Sequence, residues 1–301
     1  MDIIQIAVGI STVIGIAVGV IRLTIYVRAM RARNVRAEIV QEGDLGVPRI
    51  LFSLSKDRAQ IANNLPSRTH FVGRTEQLRD LENALQSRSY IVVIEGIGGV
   101  GKTSLALELC HKLIDVKKKP ATQDDDSSEL DDKEFHSIVW VSAKETRTTL
   151  DEVFDTIAKV LSYPYILKLE GNEKAEAVGK LLRKETALLV IDNFETITDK
   201  AILQFLQQLP EPSKAIVTSR HKTIRDAKAL HLTGLDIDET RDLINTELGN
   251  KGMKIGRQQE RVYQELHKAT GGVPLVIKWA IGQIKYGETF ESVLEKLHNA
   301  Q

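Results

Sequence analysis

The chain has 301 residues, enough for about two domains, and 42% of them are apolar and 27% charged. This balance, together with a single cysteine, Cys110, excludes a collagen, a disordered tail, a disulfide scaffold and a cysteine-rich metal cluster. The chain has 41 basic residues (lysine and arginine) and 41 acidic residues (aspartate and glutamate), so its charge gives no direct evidence for a nucleic-acid partner. Its single thiol favours a reducing compartment.

The N-terminal segment, residues 3–21, contains no ionisable side chain. As a helix it would be roughly 28 Å long, enough to cross the hydrocarbon core of a bilayer. A secretory signal and a buried helix of a soluble core are the alternatives, but no basic start precedes the segment and no small-x-small cleavage site follows it. Arginines follow the segment and only Asp2 precedes it, which predicts a single-pass membrane protein with most of the chain in the cytoplasm.

Small residues recur at every fourth position of this segment, at Ser11, Gly15 and Gly19. This spacing places them on one helix face, where it allows a second helix to approach closely. The alternative is that glycine is simply common in membrane helices. Pairing through this face would make the chain a homo-oligomer.

Residues 34–69 are predicted to be a juxtamembrane linker, because Pro48, Pro66 and scattered polar residues break any long hydrophobic period. From residue 70 onward, apolar runs alternate with helical patterns, which is typical of a parallel sheet with crossover helices. The pattern predicts strands over 90–95, 137–142, 187–192, 215–218 and, more weakly, 230–232. It predicts helices over 75–87, 102–116, 150–161, 173–184 and 200–209.

Beyond Gly234 the sequence shows only helical periods, over 237–248, 257–270, 274–285 and 290–297. The polar run between Val116 and Phe135 is predicted to be a solvated insertion. The predicted organisation is a transmembrane helix with its basic flank (1–33), the linker (34–69), a nucleotide-binding domain (70–233) and an all-helical domain (234–301).

A phosphate-binding motif, G-x-x-x-x-G-K-T, lies between the first predicted strand of the domain and the following helix. Its glycines allow backbone N–H groups to converge on phosphate oxygens at a helix N-terminus. The lysine is placed to reach the β and γ phosphates, and the threonine hydroxyl to bind Mg²⁺. The predicted phosphate-binding residues are Gly96, Gly98, Gly99, Val100, Gly101, Lys102, Thr103 and Ser104. They indicate the α/β fold of a P-loop NTPase, a three-layer sandwich with a parallel sheet.

Two further residues are predicted to act with Lys102. The apolar run 187–192 ends in Asp192, which we expect on a strand neighbouring the P-loop strand, as a second Mg²⁺ ligand. Arg220 follows the strand predicted over 215–218, either as a γ-phosphate sensor or as an ordinary surface arginine. No N-K-x-D motif of a guanine site follows a strand, so we expect ATP or ADP as the ligand.

The order and spacing of FVGR, GIGGVGKT, IVWVSAKE, LLVIDNFE, IVTSR and GGVPL, over residues 66–290, resemble the NB-ARC group of signal-transduction ATPases with numerous domains (STAND). The resemblance implies that Val72, Gly73 and Arg74 border the adenine and ribose, and that Pro274 closes over the base. It also implies an ADP-bound resting state and an ATP-bound, oligomerising active state.

The chain departs from this family in two respects. Asn193 follows Asp192 where many members have a second acid, and the next carboxylate is Glu195, which leaves the general base open. No winged-helix module with a Met-His-Asp sensor follows GGVPL. Either the chain is a truncated form of a longer protein, or a partner chain supplies the sensor or winged helix.

The sequence thus predicts a membrane-anchored ATP/ADP switch in signalling or defence, which oligomerises with ATP and hydrolyses it slowly. The alternatives are a membrane-tethered ATPase that turns over continuously, as a motor or transport accessory, and a remnant that binds nucleotide without output. Slow turnover with retained ADP would favour the switch over the continuous ATPase.

Overall fold

The computed structural model describes residues 35–40, 49–54, 61–118, 135–143, 148–221, 224–250 and 259–299. The chain divides into two compact units, Met1–Ala59 and Gln60–Gln301. The predicted transmembrane segment and nearly all of the predicted insertion lie outside the described residues. Within the described ranges, no helix is both long and apolar enough to span a membrane.

The first unit contains two antiparallel strands, β1 (Val35–Val40) and β2 (Arg49–Leu54), with Ala37 paired to Phe52. Both strands fall in the segment predicted to be a linker. In β1, apolar residues at 35, 37 and 39 alternate with polar ones, a period of two that favours a strand. The pattern was not assigned to a strand, because Pro48 and the scattered polar residues of this segment break any long hydrophobic period.

The second unit is built on a six-stranded, all-parallel sheet with the order β3-β5-β6-β7-β4-β8. The strands are β3 (Ala62–Asn63), β4 (Ile91–Glu95), β5 (Ser137–Ser142), β6 (Ala187–Asp192), β7 (Lys214–Ser219) and β8 (Lys228–His231). The five predicted strands are confirmed to within two residues at each end. β3 was not predicted, since two residues carry no detectable pattern.

Helices cover both faces of this sheet, as predicted for a three-layer sandwich. They are α1 (Thr75–Gln86), α2 (Lys102–Lys118), α3 (Leu150–Leu161), α4 (Gly171–Lys184) and α5 (Lys200–Gln207). Ile91 and Val93 of β4 pack with α3, α4 and α5, whereas Val92 and Ile94 pack with α1 and α2. Alternate residues of one strand therefore enter two different cores, which explains why these strands are continuously apolar.

The rest of the second unit is helical: α6 (Ile237–Asn250), α7 (Gln259–Thr270), α8 (Pro274–Lys285) and α9 (Phe290–Asn299). These helices share a third hydrophobic core that includes Ile244, Leu266, Ile277 and Val293. The four helices lie where the sequence predicted helical periods beyond Gly234. We call these four helices the helical module below.

Candidate nucleotide-binding site

The phosphate loop, residues 96–101, connects the carboxyl end of β4 to the first residue of α2, Lys102. The Lys102 side chain is nearly buried, and its Nζ donates to the carbonyl oxygens of Gly96 at 2.8 Å and Ile97 at 3.0 Å. These two bonds hold the ammonium group at the loop itself. The predicted residue Ser104 lies half-buried in the first turn of α2.

Asp192 lies at the end of β6, almost completely buried, and accepts two hydrogen bonds on Oδ1. One comes from the Thr103 hydroxyl at 2.7 Å, and the other from the Thr218 hydroxyl at 2.6 Å. The structure thus brings the two predicted Mg²⁺ ligands together. A hydroxyl and a carboxylate oxygen are donors that suit Mg²⁺, which keeps phosphate and water oxygens as its remaining ligands.

One detail of that prediction was wrong. The strand that carries Asp192 does not neighbour the P-loop strand β4, because β7 lies between them. Thr218 of β7 fills the interval: its hydroxyl donates to Asp192 and accepts from the backbone N–H of Asn193 at 2.9 Å. Thr218 was not among the predicted site residues, although it ends a predicted strand of the same parallel sheet as the phosphate loop and Asp192, which was a usable signal.

A tight turn after β6 brings Glu195 back to the phosphate loop. Asn193 is left-handed (φ 60°), a conformation that asparagine tolerates, and a 3₁₀ turn, Phe194–Thr196, follows it. Arg220 Nε donates to Glu195 Oε1 at 3.2 Å. Burial lowers the pKa of Lys102, while Glu195 opposes this shift more strongly than Asp192 does.

Arg220, the predicted sensor, lies beside the phosphate loop as well. Its Nη2 is 3.7 Å from the point where a Cβ on Gly98 would stand. The guanidinium is therefore within reach of a phosphate on this loop while it pairs with Glu195. About 62% of the side chain is exposed, so it is free to rearrange.

The FVGR segment joins the nucleotide-binding domain to the helical module. Phe71 packs on the core formed by α1 and α2, whereas Val72 packs on the core of the helical module. Gly73 (φ +70°) has no room for a side chain, because a Cβ there would stand 2.9 Å from Cγ of Glu239. Glu239 accepts a hydrogen bond from the backbone N–H of Arg74.

The Arg74 side chain is buried and bonds to protein carbonyls. Its Nη2 donates to the carbonyl oxygen of Val100 at 3.1 Å and to that of Thr233 at 2.5 Å, so it links the phosphate loop to the segment that leads into α6. Burial lowers the pKa of the Arg74 guanidinium, but an arginine side chain stays protonated in proteins, so Arg74 carries its positive charge. The resemblance implied that Arg74 borders adenine and ribose, and the structure adds a bridging role.

Glu239 holds the start of α6 and the FVGR segment at once. Its backbone N–H donates to Asp236 Oδ1 at 2.8 Å, and its Oε2 accepts from the backbone N–H of Asp236 at 3.2 Å. This reciprocal pair is a capping box. The other oxygen, Oε1, is the one that binds Arg74. Glu239 was not among the predicted site residues, although a D-x-x-E pattern at the start of a predicted helix signals a capping box.

The GGVPL segment places the N-terminus of α8 directly on the phosphate loop. Pro274 is the first residue of α8, and the backbone N–H of the next residue, Leu275, donates to the carbonyl oxygen of Gly99 at 3.3 Å. A Cβ on Gly99 (φ +77°) would stand only 2.7 Å from Cβ of Leu275. The two motifs, far apart in sequence, are thus in van der Waals contact.

A cavity of about 300 Å³ opens beside the FVGR segment. Arg68 and Glu108, two of its lining residues, form an ion pair at 2.5 Å. Thr69, His70 and Phe71 complete the lining. The lining ends at Phe71, one residue before the segment Val72–Arg74 that the resemblance assigns to adenine and ribose.

Comparison with known proteins agrees with this geometry. The sequence model of the NB-ARC domain matches residues 74–254. The transcription activator GutR of Bacillus subtilis is 28% identical over 223 residues, which are 69% of this chain and 25% of GutR. A probable disease resistance protein of Arabidopsis thaliana is 24% identical over 236 residues, 73% of this chain and 25% of that protein.

A similar fold occurs in the crystal structure of a STAND protein with a tetratricopeptide repeat sensor from Pyrococcus horikoshii. The TM-score is 0.50 at 20% identity, over 79% of this chain and 33% of that one. The chain spans about a quarter of the length of the curated relatives named above. Because the family match covers more than half of the chain and includes the phosphate loop, Asp192 and Arg220, the chain belongs to the NB-ARC family.

Proposed function

We propose that this chain is a membrane-anchored molecular switch that binds ADP at rest and ATP when active, hydrolyses ATP slowly, and self-associates in the ATP state. The observation that carries this proposal is the contact between Gly99 of the phosphate loop and Leu275 of the helical module. A change at the phosphates has a direct mechanical route to α8 through this contact.

A second route runs through Arg74. Its guanidinium bonds to the carbonyl of Val100 in the phosphate loop and to that of Thr233, just before the helical module. Its backbone N–H bonds to Glu239 in α6. A movement of the phosphate loop would therefore strain these bonds or move the start of α6. The Gly99–Leu275 contact and the Arg74 bonds are two separate connections, and both support coupling between the nucleotide and the helical module.

Such a switch requires that the two nucleotides differ in affinity for the two conformations, since a ligand shifts an equilibrium only by that difference. The γ phosphate is the chemical difference between ATP and ADP. Lys102 and Arg220 are the cations at the loop that would meet it, and Thr103 with Asp192 would hold Mg²⁺ there. Two charge-assisted contacts of this kind are worth roughly 3 to 6 kcal/mol together, at about 1.5 to 3 kcal/mol each.

The cytoplasmic location and the anchor are proposed from the sequence of residues 1–33. The signalling role is proposed from relatives described as a transcription activator and as a probable disease resistance protein. Because these relatives are about three times as long as this chain, we also propose that a sensor or winged helix acts with this domain, from the same or a partner chain.

Hydrogen exchange of the full chain in lipid nanodiscs tests the switch. We expect residues 271–285, which include the Leu275 N–H, to exchange differently with ADP and with a non-hydrolysable ATP analogue. Residues 150–161 form α3, which packs on the face of the sheet opposite to α2. They are the internal control, and their exchange should be the same with both nucleotides. Identical exchange of 271–285 with both nucleotides would contradict the switch.

Two further measurements separate the switch from its alternatives. Slow turnover with ADP retained through purification supports the switch, whereas rapid turnover with free release of ADP supports a continuously working ATPase. Crosslinking of the same preparation should give more dimer or higher oligomer with the ATP analogue than with ADP. Equal yields would remove self-association from the proposal.

A further inference from the structure

Glu195 is held at the phosphate loop by an unusual turn. The left-handed Asn193 and the 3₁₀ turn after it reverse the chain at the end of β6, and buried Phe194 anchors the turn in the core. The Thr196 hydroxyl donates to the carbonyl of Asn193 at 2.9 Å and also to that of Ala143. The position of Glu195 is therefore fixed on both sides.

The two carboxylate oxygens of Glu195 have different surroundings. Oε1 accepts from Arg220 Nε at 3.2 Å, while Oε2 is buried and has no hydrogen-bond partner. A buried carboxylate oxygen without a partner costs free energy, and the cost is larger for a charged group than for a neutral acceptor. An unsatisfied acceptor beside a phosphate loop suggests that it serves a donor that arrives with the substrate.

The neighbouring groups have other tasks or the wrong chemistry. Asp192 already accepts from Thr103 and Thr218, and it belongs to the Mg²⁺ site. Asn193, which stands where many family members have an acid, carries an amide that cannot accept a proton at neutral pH. Among the described residues, Glu195 and Asp192 are the carboxylates near enough to affect Lys102. This leaves Glu195 for the role of base.

We propose that Glu195 is the catalytic carboxylate of this chain, which orients a water molecule through Oε2 and accepts its proton during ATP hydrolysis. This inference rests on the proposed function, because it requires ATP at the phosphate loop. It assigns the base to the third residue after the strand-ending aspartate instead of the first, and it makes Arg220 the residue that positions the base.

The reaction balances with water as the only co-reactant. The water oxygen forms a bond to the γ phosphorus, and the bond between that phosphorus and the oxygen bridging to the β phosphate breaks. The electron pair of the broken bond stays on the β phosphate of ADP. One water proton passes to Glu195 and from there to solvent, which leaves inorganic phosphate and restores the carboxylate.

The test compares the wild-type full chain with Glu195→Gln and with a matched control, Glu265→Gln. Glu265 also accepts from an arginine Nε, that of Arg261 at 2.7 Å, but it lies in α7 of the helical module. The glutamine at 195 has nearly the same volume and retains an acceptor for Arg220, so we expect an unchanged thermal unfolding midpoint. ATP affinity, the single-turnover rate and the identity of the bound nucleotide are measured.

We expect Glu195→Gln to bind ATP within about threefold of wild type and to hydrolyse it at least 100-fold more slowly, the usual effect of losing a general base. After incubation with ATP it should retain ATP, where the wild type retains ADP. The Glu265→Gln control should match the wild type in all three measurements.

Three results would overturn the assignment of Glu195. They are a wild-type rate in Glu195→Gln, a loss of ATP affinity as large as the loss of rate, and a wild-type chain that binds ATP without hydrolysing it. In the first two cases nucleotide binding and slow hydrolysis by the wild type still support the proposed switch. The third result also removes hydrolysis from the proposed function and leaves only nucleotide binding. If the wild-type chain binds neither ATP nor ADP, it is the proposed function that fails, and this inference fails with it.

Discussion

The carbonyl oxygen of Gly99 accepts a hydrogen bond from the backbone N–H of Leu275, and the two residues leave no room for a methyl group between them. The phosphate loop and the first turn of α8 thus form one packed joint. Closely packed elements such as these move between a few discrete positions, because a packed interface does not deform continuously. This joint is the basis of the first prediction.

Gly99→Ala should release α8 from the phosphate loop. Its Cβ would stand 2.7 Å from Cβ of Leu275, so one of the two backbones must move. Overpacking of this type costs about 1 to 3 kcal/mol, in addition to the cost of a positive φ. Hydrogen exchange across 274–285 should become faster.

Gly101→Ala is the matched control for this change. Gly101 also has a positive φ (+106°), but a Cβ there has no atom within 4 Å. It should lower the thermal unfolding midpoint through backbone strain and leave the exchange of 274–285 unchanged. If the two variants loosen α8 equally, strain in the loop and not contact with Leu275 is responsible.

Lys102→Ala should lose ATP and ADP while the fold remains intact. The variant removes an ammonium group bonded to the carbonyls of Gly96 and Ile97, and no buried apolar core packing. A charged contact to phosphate is worth about 1.5 to 3 kcal/mol. We therefore expect the affinity for ATP and ADP, measured by titration calorimetry, to fall by about ten- to hundredfold. Lys112→Ala, on the same helix as Lys102, removes a partly buried ion pair with Glu82 of α1 and should leave affinity unchanged. Nucleotide that co-purifies with Lys102→Ala at the wild-type level would rule out this site.

Asp192→Asn should weaken the Mg²⁺-dependent part of ATP binding. The amide oxygen can still accept from Thr103 and Thr218, but it lacks the charge that a hard divalent cation prefers. We expect the gain in ATP affinity on adding Mg²⁺ to shrink by at least about tenfold, because losing even a residue that only supports a metal ligand costs about ten- to hundredfold in metal affinity. Affinity measured in EDTA should equal that of wild type. A loss of equal size with and without Mg²⁺ would contradict the metal role.

Cys110 should resist thiol reagents as long as the chain is folded. Its side chain on α2 is completely buried, and burial raises the pKa of the thiol. An ordinary thiol has a pKa of about 8.5 and is already mostly protonated at pH 7 to 8, so the reactive thiolate of Cys110 is scarcer still. Labelling with a maleimide should be slow in buffer and fast in denaturant. Because this is the single cysteine, the labelling rate also reports on unfolding. Equal rates in both conditions would show that α2 opens readily.

Removal of residues 1–33 should abolish membrane association and leave nucleotide affinity unchanged. The apolar run 3–21 lies in this segment, whereas the phosphate loop, Asp192 and Arg220 lie in the second compact unit. Flotation with liposomes measures the first effect and calorimetry the second. A truncated chain that still floats would place membrane binding elsewhere, and one that loses nucleotide binding would assign the segment to the domain fold.

Local pattern was sufficient for the elements and for the phosphate loop. The strands β4 to β7 and the helices α1 to α9 carry their own apolar periods, turns and caps, so each is readable within one window of sequence. The G-x-x-x-x-G-K-T motif is contiguous and its chemistry belongs to the backbone and to Lys102. β3 escaped prediction because two residues carry too little pattern, whereas β1 and β2 lie in a segment whose prolines and scattered polar residues led to its prediction as a linker.

The connections within the site were decided only by the tertiary structure. That β7 separates β4 from β6, and so places Thr218 against Asp192, follows from the strand order and not from any local pattern. Leu275 meets Gly99, and Glu239 meets Arg74, across more than 150 residues of chain. Such contacts depend on how separate elements pack. The residues next to Gly99 or Arg74 in sequence influence its local conformation, but they do not determine which distant residue it contacts. Sequence therefore determined the chemistry of the phosphate site, and packing determined which residues surround it.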